Sequence, residues 1–152
     1  RFDKIIEINE DAGTVTAEAG LTFVKLMATL EERGWKIGIA PSGAMAGTVG
    51  AHVSRPGVGW GNIKYVNQGQ QVLGLKAVLP TGEVIETGTA ANPAASSFYR
   101  YALGPDLTGL FIGAEGALGG AVEATLRMYP LPKKIYLSRN FLSFFVFVWE
   151  LC

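Results

Sequence analysis

The chain is organised around a glycine-rich stretch, Gly113-Ala114-Glu115-Gly116-Ala117-Leu118-Gly119-Gly120. It lies between an apolar run, Leu110-Phe111-Ile112, and an alternating run that begins at Val122. Glycine adopts positive φ at little cost and has no Cβ, so the backbone of such a stretch can approach a ligand closely. Successive N–H groups in a turn of this kind can also bind an anion. Spacing alone leaves two interpretations open: a loop that contacts a phosphorylated cofactor, or a tight turn that only reverses the chain.

Length and composition indicate one folded domain. The chain has 152 residues, of which 49% are hydrophobic and 17% are charged, and this is typical of globular rather than disordered proteins. Lys+Arg 13 equals Asp+Glu 13, so no basic excess indicates a nucleic-acid partner. A single cysteine, Cys152, excludes an intramolecular disulfide, and a single histidine, His52, excludes a histidine-rich metal site. We therefore expect no metal, no nucleic acid and a reducing, cytoplasmic location.

Targeting signals are not expected either. The sequence starts at Arg1 without a charged leader and apolar core, so we expect no signal peptide and a chain whose beginning is missing. The apolar tail, Phe141 to Trp149, is too short to span a bilayer, and membrane association is not expected. This tail is interpreted either as an edge strand or as the strand that leads into a further domain.

Hydrophobic periodicity in the first half predicts a hairpin followed by a helix. The β-rich runs Lys4 to Asn9 and Thr14 to Glu18 flank a turn signal and predict the hairpin. Phe23 to Arg33 predicts an amphipathic helix, with Thr22 as its cap and Gly34 as its end. Sheet and helix together indicate an α+β fold with a mixed, mostly antiparallel sheet and packed helices.

The second half predicts further antiparallel pairing. Val72 to Leu79 and Glu83 to Thr87 flank a Pro-Thr-Gly turn and predict a hairpin. Asp106 is the start of a short helix that leads to the glycine-rich stretch, and Val122 to Tyr129 alternates as a strand. Between the two halves, residues 41–61 are small and irregular, with a short helix predicted over Thr48 to Ser54. A long loop of this kind inside a compact domain is usually functional.

No catalytic constellation can be assembled from the side chains. His52 stands among small residues without a neighbouring acid, so a packed histidine is expected rather than a catalytic one. Glu115 would repel a phosphate, and we expect its carboxylate to accept hydrogen bonds from backbone amides and to hold the loop. Arg55 has two interpretations, an anion-pairing residue or a solvated loop residue. The spacing of the loop glycines also departs from the dinucleotide-binding fingerprint, because a strand follows them instead of a helix.

Four stretches, in this order, resemble the FAD-binding domain of the vanillyl-alcohol oxidase (PCMH) type. They are Val15-Thr16-Ala17-Glu18-Ala19-Gly20, Thr48-Val49-Gly50, Val72 to Val84, and Asp106 to Gly119. The last is the most specific, because it resembles the family's G-S-E-G-T-L-G element. Within the family, the D-lactate dehydrogenase and glycolate oxidase FAD-subunit group is the most similar. The resemblance covers Lys4 to Pro132 and implies the second subdomain of the FAD-binding domain.

The resemblance implies non-covalently bound FAD and assigns contact residues to three segments and one strand position. Residues 41–50 would contact the flavin and pyrophosphate, residues 55–58 would form a second contact loop, and residues 113–119 with Val122 would lie near the adenosine and phosphates. The implied cofactor-binding residues are Pro41, Ser42, Gly43, Ala44, Ala46, Gly47, Thr48, Val49, Gly50, Arg55, Pro56, Gly57, Val58, Gly113, Ala114, Glu115, Gly116, Ala117, Leu118, Gly119 and Val122.

The chain also departs from the family pattern. Ala114 and Ala117 replace the usual serine and threonine, so two hydroxyl donors are lost, and Gly120 replaces a β-branched residue. We expect residues 1–132 to be a partial FAD-binding domain without its first subdomain, and residues 133–152 to begin a C-terminal substrate domain. These two absent units are the expected partners, together with a small-molecule substrate, and homo-oligomerisation stays open.

The implied function is that of part of an FAD-dependent oxidoreductase that oxidises a 2-hydroxy acid, of the D-lactate or glycolate type, by hydride transfer to flavin. Bound cofactor would supply that chemistry, and no residue of this chain is assigned a catalytic role. Two alternatives remain: a folded module that retains no flavin and is not catalytic, and a flavoenzyme of the same fold that acts on a sugar or alditol.

Overall fold

The computed structural model describes residues 2–101, 104–139 and 146–151. Its strands are β1 (Ile5–Asn9), β2 (Thr14–Glu18), β3 (Trp35–Ile37), β4 (Ala40–Pro41), β5 (Gly59–Trp60), β6 (Val72–Val78), β7 (Val84–Glu86), β8 (Gly120–Pro130), β9 (Lys134–Arg139) and β10 (Val146–Leu151). Its helices are α1 (Phe23–Glu31), α2 (Val49–Ser54), α3 (Asn62–Tyr65) and α4 (Leu107–Phe111). Short 3₁₀ turns cover Gln68–Gln71 and Gly88–Ala91.

Strand β8, which directly follows the glycine-rich stretch, is the centre of the main sheet. The strand order is β1-β2-β8-β6-β7, and β3 pairs with the last residues of β8. Every strand pairing among the described residues is antiparallel. The α+β prediction, with helices packed on a mostly antiparallel sheet, is confirmed.

The hydrophobic core lies between this sheet and α1. Leu26 and Leu30 on α1 are fully buried, as is Val15 on β2, while Leu126 on β8 is 3% exposed. The periodicity of α1 therefore places its apolar stripe against the alternating apolar faces of β2 and β8. Leu21, just before the helix, is also fully buried, as expected for a residue that packs against the first turn.

The predicted elements match the structure with small differences at their ends. Helix α1 ends at Glu31 instead of Arg33, because the chain turns at Gly34, which has φ of 77°. Thr22 is the N-cap of α1, but its side chain makes no capping hydrogen bond; it forms a β-bridge with Thr48 instead. Thr87 was expected in the second hairpin strand, which ends one residue earlier, at Glu86. The Thr87 hydroxyl turns inward and accepts a hydrogen bond from the Leu75 amide at 3.0 Å.

The described part of the tail is a separate antiparallel pair. Strand β10 pairs with β9 in a two-stranded sheet that is distinct from the main one. The predicted apolar strand from Phe141 to Trp149 lies outside the described residues for its first half, and Val146 to Trp149 lie in β10.

Candidate flavin site

The short helix α2 is the element around which the predicted contact segments gather. Thr48 caps it, since its hydroxyl accepts a hydrogen bond from the Ala51 amide at 3.2 Å. Val49 and Val53 are each 1% exposed and anchor the helix in the core. The predicted helix at Thr48 to Ser54 is confirmed, and its two ends face the two groups of predicted contact residues.

Close backbone contact fixes α2 against the end of β2. The Gly50 amide donates to the Ala19 carbonyl at 2.7 Å, and the Val49 amide donates to the Leu21 carbonyl at 2.9 Å. The Ala19 amide in turn donates to the Val122 carbonyl at 2.8 Å. A Cβ on Gly50 would lie 2.7 Å from the Ala19 Cβ. Glycine is therefore required at Gly50 by the packing of this chain, independently of any ligand.

The segment that precedes α2 is held on the first turn of α1. The Val24 amide donates to the Ala44 carbonyl and the Phe23 amide donates to the Gly47 carbonyl, both at 3.0 Å. The loop closes on itself through the Gly47 amide, which donates to the Gly43 carbonyl at 2.7 Å. Residues 41–48 therefore form an ordered loop at the N-terminal end of α2.

The glycine-rich stretch is held at the opposite end of α2. The Gly113 amide donates to the Val53 carbonyl at 2.9 Å, and the Glu115 amide donates to the Ser54 carbonyl at 3.1 Å. Gly113, Glu115 and Gly116 have φ of 80°, 50° and 84°, so the loop uses the left-handed region three times. The structure thus brings residues 55–58 and residues 113–116 together where α2 ends.

An open cleft lies beside this second group. It has a volume of about 350 Å³ and is lined by Pro56, Gly57, Val58, Ile112 and Tyr101. Asn67, Gly69, Gln70, Arg100 and Gly109 complete its lining. The cleft therefore joins the second predicted contact loop to the residue directly before the glycine-rich stretch. Sequence reasoning did not single out the 67–70 turn or Tyr101, because they contact the site only through the fold.

Most amides of the glycine-rich stretch are already used within the chain. Those of Gly113, Ala114, Glu115, Ala117 and Gly119 all donate to backbone carbonyls. A concavity of successive free N–H groups is therefore the wrong description of this loop. Within the described residues, the backbone amides left without an acceptor in the three segments belong to Ser42, Gly43, Met45, Thr48, Gly57, Val58, Gly116 and Leu118. Donors for a ligand are thus distributed over three loops.

The glycines of these loops divide into two kinds. Gly50 and Gly119 are required by the chain itself, since a Cβ on Gly119 would lie 2.5 Å from the Val78 carbonyl oxygen. Gly43 and Gly57 have ordinary φ, and nothing lies within 4 Å of the place where their Cβ would stand. Neither backbone conformation nor packing explains glycine at these two positions. Bare backbone that faces open space in two predicted contact loops fits a bound cofactor.

The structure shows the surroundings of three side chains that the sequence singled out: His52, Glu115 and Arg55. His52 is packed, as expected: its ring lies 4.6 Å from the Phe23 ring in an edge-to-face arrangement, and Nδ1 lies 3.2 Å from the Thr48 carbonyl oxygen. The expectation for Glu115 is wrong, because its exposed carboxylate accepts no hydrogen bond from any described residue. Its backbone amide holds the loop instead. Arg55 is exposed at the end of α2, without an ion-pair partner in the described part of the chain.

Asp106 begins α4, as expected, and also holds an arginine that sequence reasoning missed. Its Oδ1 accepts a hydrogen bond from the Gly109 amide at 2.9 Å, and its carboxylate is bound by Nε and Nη2 of Arg100 at 3.0 and 2.7 Å. Hydrogen bonding to the Arg100 guanidinium is the main cause that lowers the pKa of Asp106 below its ordinary value of 3.8.

The Asp106–Arg100 pair predicts a defined dependence of stability on pH. A lowered folded-state pKa gives stability that is fully present above the unfolded-state value of 3.8 and is lost as pH falls through the folded-state value. We expect the difference in unfolding free energy between the wild-type protein and Asp106→Asn to be constant from about pH 7 to pH 5 and to shrink below about pH 4. Urea titrations across this range measure it. A difference that grows in acid would contradict the assignment.

Two further properties concern the described residues as a whole. No group of three or more His, Cys, Asp or Glu side chains among them is arranged to hold a metal ion. None of the helices in this part of the chain is long and apolar enough to cross a membrane.

Comparison with known proteins identifies the family. The model of the FAD binding domain family matches residues 1–88, which is more than half of the chain. The chain therefore belongs to the FAD binding domain family, as the four resembling stretches indicated, and FAD is the cofactor of that family.

Individual relatives agree with this assignment. The chain is 30% identical to glycolate oxidase subunit GlcD of Bacillus subtilis over 87% of this chain and 27% of that protein. It is 29% identical to D-lactate dehydrogenase of Anaerostipes hadrus over 89% of this chain and 27% of that protein. The chain thus spans about a quarter of the length of these relatives.

Solved structures confirm the fold. The 4-ethylphenol oxidase from Gulosibacter chungangensis, in its isoeugenol complex, superposes with a TM-score of 0.77 at 24% identity, over 89% of this chain and 25% of that one. An alkyldihydroxyacetonephosphate synthase superposes with a TM-score of 0.73 at 20% identity, over 89% of this chain and 23% of that one. The expected PCMH-type subdomain is therefore the observed fold.

Proposed function

We propose that this chain forms one wall of the FAD site of an oxidoreductase that oxidises a 2-hydroxy acid of the D-lactate or glycolate type. The observation that carries the proposal is the bare, open backbone at Gly43 and Gly57, which neither φ nor packing explains. The relatives named for glycolate and D-lactate chemistry support the substrate class. Bound FAD would supply the hydride acceptor, and this chain would supply binding and orientation.

The contacts proposed for the cofactor are mostly main-chain. The amides of Ser42, Gly43, Gly57 and Gly116 have no acceptor among the described residues and serve as donors to phosphate and flavin oxygens in this proposal. Arg55, exposed where α2 ends, adds a positive charge for the pyrophosphate. The Glu115 carboxylate is directed to solvent in this arrangement, because an unpaired acid facing phosphate would oppose binding.

We also propose that residues 1–132 belong to the FAD-binding domain and residues 133–152 to the unit that follows it. The separate sheet formed by β9 and β10 supports this division, since neither strand pairs with the main sheet. The first FAD subdomain and a substrate domain would then complete the site.

The test is flavin binding by the purified native protein and by two glycine variants. The wild type is expected to retain FAD through dialysis, to show flavin visible absorption, and to lose that absorption when D-lactate or glycolate is added without oxygen. Gly43→Val and Gly57→Val are each expected to weaken FAD binding on the order of a hundredfold by blocking close approach. Their unfolding free energies are expected to change by less than about 0.5 kcal/mol.

Gly120→Val is the matched control. Gly120 also has ordinary φ and nothing within 4 Å of its Cβ position, but it stands in β8 outside the proposed contacts. We expect it to retain FAD and to gain about 0.5–1 kcal/mol of stability, because valine suits a strand better than glycine. A colourless wild-type protein would instead favour a folded module without flavin. If only a sugar or an alditol reduced the flavin, the substrate would belong to that class instead of the 2-hydroxy acids.

A further inference from the structure

Helix α4, which delivers the chain to the glycine-rich stretch, is anchored to the sheet on one side. Thr108 is fully buried, and its hydroxyl donates to the Thr87 hydroxyl at 2.7 Å. The same Thr87 oxygen accepts the Leu75 amide of β6 at 3.0 Å. Phe111, one turn further on, is 8% exposed and belongs to the hydrophobic core. These contacts fix the position of α4 on the sheet but not how the following loop is directed.

The other side of α4 is held by Arg100. Its guanidinium binds the Asp106 carboxylate through Nε and Nη2, and its Nη1 donates to the Gly69 carbonyl at 2.8 Å. The Arg100 side chain is 12% exposed. One guanidinium thus joins the N-cap residue of α4 to the 67–70 turn, beside the cleft that Arg100 helps to line. Two-point contact of this kind is directional, and a lysine ammonium cannot reproduce it.

Two glycines fit closely around this group. A Cβ on Gly109 would lie 2.7 Å from Nη2 of Arg100 and 2.5 Å from Oδ2 of Asp106. A Cβ on Gly69 would lie 2.7 Å from Cγ2 of Ile112. The 67–70 turn held by Arg100 therefore packs close to Ile112, the residue before Gly113. There is no room for even one methyl group between the turn and Ile112, so a shift of the turn toward Ile112 would displace the start of the loop.

We propose that Arg100 is a positioning residue of the flavin site, which sets the direction of the glycine-rich loop by joining Asp106 to Gly69. The identity of the ligand, FAD, rests on the proposed function, but the effect of Arg100 on the glycine-rich loop does not depend on a bound ligand. Asp106 and Gly69 engage one donor each of Nε, Nη1 and Nη2 of Arg100, and in this proposal Arg100 has this bridging role and no contact with the cofactor. It acts through Ile112 on the amides of Gly113 and Glu115.

A purely stabilising role is the competing explanation. A partly buried ion pair such as this one, with the Asp106 side chain 31% exposed, is weak evidence for stability. What such a pair adds is fixed geometry. The test must therefore measure the loop geometry and the affinity for FAD separately from global stability.

Amide hydrogen exchange in the native protein without added FAD measures how well the glycine-rich loop is held in place. In Arg100→Lys, we expect exchange at Gly113 and Glu115 to accelerate about tenfold, because their hydrogen bonds to the Val53 and Ser54 carbonyls open more often. Asp106→Ser keeps a side-chain acceptor for the start of α4 and frees Arg100, and we expect the same acceleration. Glu86→Gln removes a surface partner of Lys76 and is the control, with unchanged exchange.

Titration of the same proteins with FAD measures their affinity for the cofactor. We expect the dissociation constant to rise about tenfold in Arg100→Lys and Asp106→Ser and to stay unchanged in Glu86→Gln. Unchanged exchange at both amides in both variants overturns the inference, as does exchange that accelerates uniformly over the whole core. If the wild type binds no FAD while exchange at the two amides still accelerates, the proposed function fails and the positioning of the loop by Arg100 stands.

Discussion

Phe23→Ala is expected to lower the unfolding free energy by about 3–5 kcal/mol, as for other fully buried aromatic residues. Phe23 is 1% exposed and contacts the His52 ring edge-to-face at a centroid distance of 4.6 Å. Truncation therefore leaves a cavity between the first turn of α1 and α2, and removes the aromatic contact as well. Urea unfolding followed by circular dichroism measures the loss.

The neighbouring residue provides the control for this substitution. Val24 lies on the same turn of α1 but is 38% exposed. Val24→Ala is expected to change stability by less than about 0.5 kcal/mol, because little buried area is lost and alanine favours a helix. Equal effects of the two substitutions would contradict the assignment of Phe23 to the interface between α1 and α2.

Gly50→Val is expected to displace α2 and to cost about 3 kcal/mol of stability, at the upper end of the usual range for overpacking. A Cβ at this position would lie 2.7 Å from the Ala19 Cβ and 3.0 Å from the Ala19 carbonyl oxygen. Because α2 separates the two groups of proposed contact residues, we also expect flavin retention to be lost.

Rescue at Ala19 distinguishes steric conflict from loss of a cofactor contact. In a Gly50→Ala background, Ala19→Gly removes one of the two colliding Cβ atoms and is expected to restore about 1 kcal/mol of the lost stability. The unfolding free energies of the wild type, Gly50→Ala, Ala19→Gly and the double variant complete this double-mutant cycle. Strict additivity would show that Gly50 is not constrained by Ala19.

The glycines of this chain are of two kinds that their local sequence does not distinguish. Glycine density correctly indicated close backbone approaches, but it could not separate Gly50, which packs on Ala19, from Gly57, which faces open space. Both residues occupy small, irregular sequence, and the distinction depends on what the fold places beside each one. The same holds for the loop amides, whose acceptors at Val53 and Ser54 are distant in sequence.

The roles of side chains could likewise be predicted only where the interacting groups lie close together in the sequence. Asp106 could be recognised as a helix start because the cap lies within its own turn. Arg100 could not be assigned, because its second partner, the Gly69 carbonyl, is 31 residues away in sequence. Glu115 was misjudged for a related reason: the loop is held by its backbone amide on the Ser54 carbonyl, which leaves the carboxylate in solvent.

The sequence by itself determined helices α1, α2 and α4, the two hairpins, the α+β class and the family, because periodicity, turn chemistry and motif order are local properties of the chain. It did not indicate the short helix α3. Tertiary structure alone decided that the loop from Gly113 to Gly119 uses most of its amides internally. It also decided that the open backbone of the candidate site lies at Gly43, Gly57 and Gly116, around the two ends of α2. The physical reason is that hydrogen-bond acceptors and steric neighbours come from segments that meet only after the sheet has formed.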